Sequence, residues 1–148
     1  MKIERFEAYL KASIPKVKSI HPHYNEALCQ MFNAGGKRFR PMALLGVVEA
    51  LSPMSLESAL KPAVAIEFLH TYSLIHDDLP AMDDADLRRG VETLHKSYDD
   101  VTAILVGDAL NTEAFNLLAE SSLHPSVVVD LVKSLAKAGG LGGMVLGQ

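Results

Sequence analysis

Five aspartates fall within ten residues: Asp77, Asp78, Asp83, Asp84 and Asp86. Asp77 and Asp83 are six positions apart, and on an ideal α-helix six residues turn about 600°, so the two would not share a face. Pro80 lies between them. Proline ends a helix before it, here near Leu79, and frees the following residues to fold back. Asp83 can then approach Asp77. Carboxylates brought together without cations repel, and a divalent ion relieves that repulsion. Oxygen-only ligands suit a hard cation such as Mg²⁺. Mg²⁺ takes few protein carboxylates and fills its shell with water and phosphate oxygens, so the expected ligand is a phosphate-bearing molecule. A solvated helix end whose acids pair with Arg88 and Arg89 would carry similar residues. The apolar approach from Ala63 to Ile75, the proline between the acid pairs and the two arginines after them favour the metal site. Asp84 and Asp86 fit surface or supporting positions.

A basic counterpart stands at Gly35-Gly36-Lys37-Arg38-Phe39-Arg40-Pro41. Glycines permit close backbone approach, and a helix N-terminus favours an anion. Lys37 offers a point charge and Arg40 a bidentate fork for phosphate oxygens. The G-x-x-x-x-G-K-[ST] spacing of a P-loop is missing. Taken alone, such a run is commonly a helix end followed by exposed basic residues; beside an acidic metal cluster it becomes half of a diphosphate site. His70 lies two helical turns before Asp77 on the same face and can donate to phosphate, although a histidine on an apolar helix is more often a core residue.

The chain has 148 residues, 49% hydrophobic and 22% charged, which is the composition of one folded domain and not of a disordered tail. Its formal net charge of -4 argues against a general nucleic-acid binder. The excess is local: without the five aspartates, the remaining 14 basic and 13 acidic residues leave one positive charge. No run reaches the ~18 apolar residues of a membrane span, and the N-terminus lacks the apolar block of a secretory signal. A single cysteine, Cys29, cannot form an internal disulfide, which suits a reducing cytoplasm.

These residues need helices to position them, and the pattern supplies helices nearly throughout. Ile3, Phe6, Leu10 and Ile14 repeat at helical spacing up to Pro15. Tyr24 to Phe32 forms a second helix, closed by Asn33 to Gly36. Pro41 suits the first turn of a third. Ser55 is a candidate N-cap before the long apolar segment that runs to Asp77. Thr102 to Glu120 and Val127 to Ala138 complete the set, and Gly139 to Gly143 ends the last. No alternating strand pattern is present. The expected fold is all-α, an antiparallel helix bundle around a central cavity.

The two charged segments together resemble the polyprenyl diphosphate synthase family, and within it the bacterial-type farnesyl diphosphate synthases (geranyltranstransferases). The resemblance runs through Gly35 to Pro41, through Leu69-His70-Thr71-Tyr72-Ser73-Leu74-Ile75-His76-Asp77-Asp78-Leu79-Pro80-Ala81-Met82-Asp83-Asp84, and through Asp86-Leu87-Arg88-Arg89-Gly90. It implies Asp77 and Asp83 as Mg²⁺ ligands with Asp78 assisting, Arg88 as the allylic diphosphate contact, and Lys37, Arg40, His70 and Arg89 as isopentenyl diphosphate contacts. It implies head-to-tail condensation of isopentenyl diphosphate with dimethylallyl or geranyl diphosphate to farnesyl diphosphate, in a homodimer. Tyr72, five residues before Asp77, would act as a cavity floor that favours a C15 product; a geranylgeranyl diphosphate synthase is the alternative. Ala85 departs from the family's acidic run at a position that is not an expected ligand. Family chains continue past Gln148 and carry a second aspartate-rich motif. Residues 1–148 are therefore expected to be the N-terminal part of a single all-α prenyl synthase domain, inactive by itself. A non-catalytic synthase subunit is the reading the missing motif favours and the aspartate set disfavours.

Overall fold

The computed structural model describes residues 2–18, 21 and 23–147. The first helix, α1 (Lys2–Ser13), buries Phe6 and Leu10, and Ile14 follows them into the core just past its end. Ile3 keeps the spacing but stays 44% exposed in the first turn. Asn25 then ties the connecting stretch to the second helix: its side-chain amide donates to the Val17 carbonyl and its oxygen accepts from the Val17 amide, both at 2.9 Å. That helix, α2 (His23–Asn33), turns Ala27, Leu28, Met31 and Phe32 inward. The third, α3 (Phe39–Leu51), starts two residues before Pro41, which occupies its first turn as expected.

Ser55 does not cap the next helix. It ends a 3₁₀ turn, Pro53–Ser55, and its hydroxyl meets that of Ser52 at 2.8 Å. A further turn intervenes, and α4 (Leu60–Asp77) begins with Pro62 in its first turn. Helix α4 is the central element. Leu60, Ala63, Val64, Ala65, Phe68, Leu69 and Ile75 are all buried, so it packs on more than one face. The Phe68 ring meets that of Phe32 with centroids 5.2 Å apart.

Past α4 the chain makes the two-residue strands β1 (Leu87–Arg88) and β2 (Val91–Glu92), paired antiparallel, then the short α5 (Leu94–Ser97). Strands this short leave no alternation to read in a sequence. Helix α6 (Asp100–Ala119) starts ahead of Thr102 because Asp99 is a side-chain N-cap, its carboxylate accepting from the Thr102 amide at 2.6 Å. It runs along α4, burying Val106, Leu110, Ala114, Leu117 and Leu118. Helix α7 (Pro125–Gly139) has Pro125 at its first position, and a π-type turn, Leu141–Val145, follows. Apart from the β1–β2 ladder, the described residues form an all-α bundle. None of their helices is long and apolar enough to cross a membrane.

Candidate active site

Two cavities meet on α4. The larger, of about 620 Å³, is lined along α4 by a stripe at helical spacing: Pro62, Ala65, Ile66, Leu69, His70, Ser73, Leu74 and Asp77. Leu131, Ser134, Leu135 and Ala138 of α7 face that stripe. The wall is apolar for most of its length and ends in the Asp77 carboxylate. The second cavity, of about 510 Å³, is lined by Lys37, Arg38, Arg40, Glu67, His70 and Arg89. Arg40 and His70 line both. All four residues expected to bind isopentenyl diphosphate, Lys37, Arg40, His70 and Arg89, thus surround one space.

The aspartate segment folds back on the end of α4. The Asp83 amide donates to the Asp77 carbonyl at 2.8 Å, that of Asp84 to Leu79 at 3.1 Å and that of Ala85 to Asp78 at 3.1 Å. Asp84 takes a left-handed conformation with φ 47° to complete the turn. Pro80 cannot continue the helix, and these bonds carry Asp83 back to the Asp77 backbone.

The five aspartates divide into three environments. Asp77 and Asp83 meet through the backbone at the helix end. Asp78 is 1% exposed and grips Arg88: the Arg88 Nε donates to its two oxygens at 2.7 and 2.8 Å, and an Nη lies 2.6 Å away. That fork pushes the Arg88 guanidinium above its usual value against the effect of burial, and the Asp77 and Asp83 charges add to it. Asp86 and Asp84 face outward to Lys96, at 2.9 and 3.8 Å. The Lys96 ammonium holds Asp86 below the usual carboxylate range. Among the described residues no group of three or more His, Cys, Asp or Glu side chains is arranged to hold a metal.

The β1–β2 hairpin places the arginines. Arg89 and Gly90 both take positive φ, as a tight hairpin turn requires. Arg88 turns back to Asp78, while Arg89 reaches across to donate to the Gly35 carbonyl. Gly36 has φ 151°, and a Cβ there would lie 2.7 Å from an Arg89 nitrogen, so only glycine admits this approach. Thr93 pins the base of the hairpin, its hydroxyl donating to the Ala85 carbonyl at 2.7 Å.

His70 sits with Arg40 3.3 Å from its Nε2. Burial, and then the charges of Arg40, Arg89, Arg88 and Arg38, lower its pKa to about 4, so the ring is neutral at pH 7. Tyr72 lies off the stripe that lines the larger cavity. It is half-buried, edge-on to His76 with ring centroids 5.4 Å apart, and His76 in turn meets the Ile104 carbonyl of α6 at 3.2 Å. Burial raises the Tyr72 phenol, with Asp77 and Asp108 contributing.

Sequence reading missed Arg38, Glu67 and Glu7. Arg38 looks like one more exposed cation in a basic run, yet it is buried and held by the two acids. The available signal was Glu67, the one charged residue between Pro62 and Leu69 of an otherwise apolar helix.

The sequence model of the polyprenyl synthetase family matches residues 21–148. The chain belongs to the polyprenyl synthetase family. Among curated members, the farnesyl diphosphate synthase of Micrococcus luteus is 43% identical over 142 residues, covering 96% of this chain and 47% of that protein. That of Geobacillus stearothermophilus is 51% identical over 126 residues, covering 83% and 42%. A solved family member, the Helicobacter pylori geranyltransferase complexed with magnesium and isoprenyl diphosphate, superposes with a TM-score of 0.91 at 47% identity, covering 99% of this chain and 50% of that one. This polyprenyl synthetase chain spans about half the length of the relatives it matches.

Proposed function

We propose that the protein is a Mg²⁺-dependent prenyltransferase that condenses isopentenyl diphosphate with dimethylallyl or geranyl diphosphate, and that its product is farnesyl diphosphate. The observation that carries this reading is the junction on α4, where a cavity ringed by Lys37, Arg40, His70 and Arg89 shares Arg40 and His70 with an apolar cavity ending at Asp77. Residues 1–148 are then the N-terminal part of one all-α synthase domain.

The donor set fits magnesium. Asp77 and Asp83 offer oxygen only, Asp78 is engaged by Arg88, and one or two carboxylates together with substrate phosphates are what Mg²⁺ ordinarily takes. When bound, the metal supplies positive charge against the allylic diphosphate. Lys37, Arg40 and Arg89 hold the isopentenyl diphosphate, and neutral His70 hydrogen-bonds beside them without adding charge. Arg88, fixed by Asp78, faces the charge that grows on the allylic diphosphate as its C–O bond breaks. The electron pair leaves with the diphosphate. The isopentenyl double bond attacks the allylic carbon, forming the new C–C bond, and a proton is lost to restore a double bond. The apolar wall from Pro62 to Leu74 excludes water from the cationic carbon and houses the prenyl tail.

We further place the protein in the cytoplasm as a homodimer. Val101, Ile104 and Leu105 form an exposed apolar patch on α6 that supports association, and sedimentation checks it. The test of activity uses the protein expressed from its complete reading frame, with Mg²⁺, labelled isopentenyl diphosphate and geranyl diphosphate. Farnesyl diphosphate should form, EDTA should abolish it, and Asp77→Asn should lower kcat by roughly a hundredfold or more. No prenyl product under these conditions sinks the reading. Geranylgeranyl diphosphate from the unaltered protein would move the product to C20.

A further inference from the structure

We propose that Arg38, gripped by Glu7 of α1 and Glu67 of α4, is the positioning residue of the cationic cavity: it fixes the loop that carries Lys37 and leads into Arg40 in the first turn of α3, and the carbonyl on which Arg89 rests. The proposal rests on the reading that this cavity takes a diphosphate.

Arg38 stands between two cavity cations but does not act as one. It takes a left-handed conformation, φ 46°, which few non-glycine residues adopt without support. This turns its side chain inward while Lys37 and Arg40 stay exposed on either side. The side chain is fully buried. All three guanidinium nitrogens are engaged. Nε donates to Glu7 at 2.7 Å, one Nη to Glu67 at 2.8 Å and to the Gly35 carbonyl at 3.3 Å, and the other Nη to the Phe32 carbonyl at 2.9 Å. With its donors committed, Arg38 has little left to offer a ligand.

What those bonds hold is the segment from Phe32 to Arg40. Phe32 belongs to the last turn of α2, and its carbonyl accepts from the Gly35 amide at 3.1 Å and from Arg38 as a second donor, which ties the loop to the helix end. Gly35 is a hub: its carbonyl accepts from Arg38 and also from Arg89, which arrives from the β1–β2 hairpin. The loop is thus closed around the Arg38 side chain, and the Arg89 guanidinium is seated on that loop. Glu67 supplies the countercharge. Burial pushes the Glu67 carboxyl up, and Arg38 first, then Arg89 and Arg40, oppose that shift and favour its charged form. Glu7 carries the brace out to α1, a helix that contributes nothing to the cavity lining.

The brace makes a prediction whose sign is opposite to that of simple electrostatics. Removing a negative charge from the wall of an anion site should tighten anion binding by Coulomb's law. If Glu67 and Glu7 act by holding Arg38, removing their charge weakens binding instead. The probe is inorganic pyrophosphate, titrated calorimetrically into the protein from its complete reading frame. Glu67→Gln, Glu7→Gln and the charge-conserving Arg38→Lys should each weaken pyrophosphate binding on the order of tenfold, the scale of losing a partner behind a ligating group. In turnover they should raise KM for isopentenyl diphosphate more than they lower kcat. Lys37→Ala and Arg40→Ala are the controls for the diphosphate reading. If those controls weaken binding while the three brace variants bind as the unaltered protein does, or tighter, the brace is overturned. If the controls change nothing, the diphosphate reading itself fails. Should Arg38→Lys or Glu67→Gln fold poorly by circular dichroism, Glu7→Gln decides, since its carboxylate is 30% exposed and its loss is the mildest of the three.

Discussion

His70 stands where the two cavities meet, and its protonation is set by its neighbours. Partial burial, and then the charges of four arginines, bring its pKa from 6.5 to about 4. The unfolded chain therefore binds a proton below pH 6.5 that the folded chain refuses until about pH 4. Stability from this residue is intact above pH 6.5 and declines as pH falls towards 4. The ring is half-buried, so the slope is modest. Chemical denaturation at pH 7.5 and pH 5 should show the loss, and His70→Gln should remove part of it; an unchanged pH dependence in the variant would contradict the assignment. A bound diphosphate offsets the arginine field and restores proton affinity. Pyrophosphate binding near pH 5.5 should then be accompanied by proton uptake, measurable as heats that vary with the ionisation enthalpy of the buffer, and His70→Gln should reduce it.

The return from α4 into the hairpin is the element that separates one aspartate's duty from another's. Pro80, the backbone bond from Asp83 to Asp77 and the Thr93 hydroxyl on Ala85 bend the segment so that adjacent Asp77 and Asp78 face different partners. Asp78 is buried against Arg88, so its charge is consumed in placing that arginine. Asp78→Asn keeps the shape and one acceptor but loses the charged fork. It should cost about 1–3 kcal/mol of stability, because Arg88 is part-exposed and can recover some solvation. The kinetic effect should fall on kcat, with KM for isopentenyl diphosphate little changed, since Lys37, Arg40 and Arg89 are held elsewhere. Steady-state kinetics decide this; a rise in KM with kcat intact would mean that Arg88 serves the other substrate. This sorting was only partly legible in the sequence. The proline announced the fold-back, and the glycine pair announced close approach. Nothing local distinguished buried Asp78 from its neighbours, because its partner lies ten residues on and across a hairpin whose two-residue strands carry no period.

At the scale of the molecule, the sequence exposed what is periodic and hid what is assembled from afar. Helices and their breaks at Pro15, Pro80 and Gly139 to Gly143 followed from local pattern, as did Lys37 and Arg40, while His70 and Arg89 joined the cationic ring only through the family resemblance. The Asp99 cap, the Arg38 brace and the turn of Tyr72 away from the larger cavity depend on which helices come to lie together, and a single helix's spacing does not contain that. The junction of core and site on α4 gives a test of how far they are coupled. Phe68 is fully buried against Phe32, on the same helix whose other faces line both cavities. Phe68→Ala should cost about 3–5 kcal/mol, a large part of a stability typically near 5–15 kcal/mol. Phe68 touches neither cavity, so the diphosphate contacts should survive in the molecules that stay folded. Pyrophosphate at about 100 times its Kd should then add back about 2.7 kcal/mol to the unaltered protein and to Phe68→Ala alike. Urea melts with and without pyrophosphate measure both terms. Equal increments mean that the core sets only whether α4 is present; a smaller increment in Phe68→Ala would mean that packing beneath α4 also sets the positions of Glu67 and His70 above it.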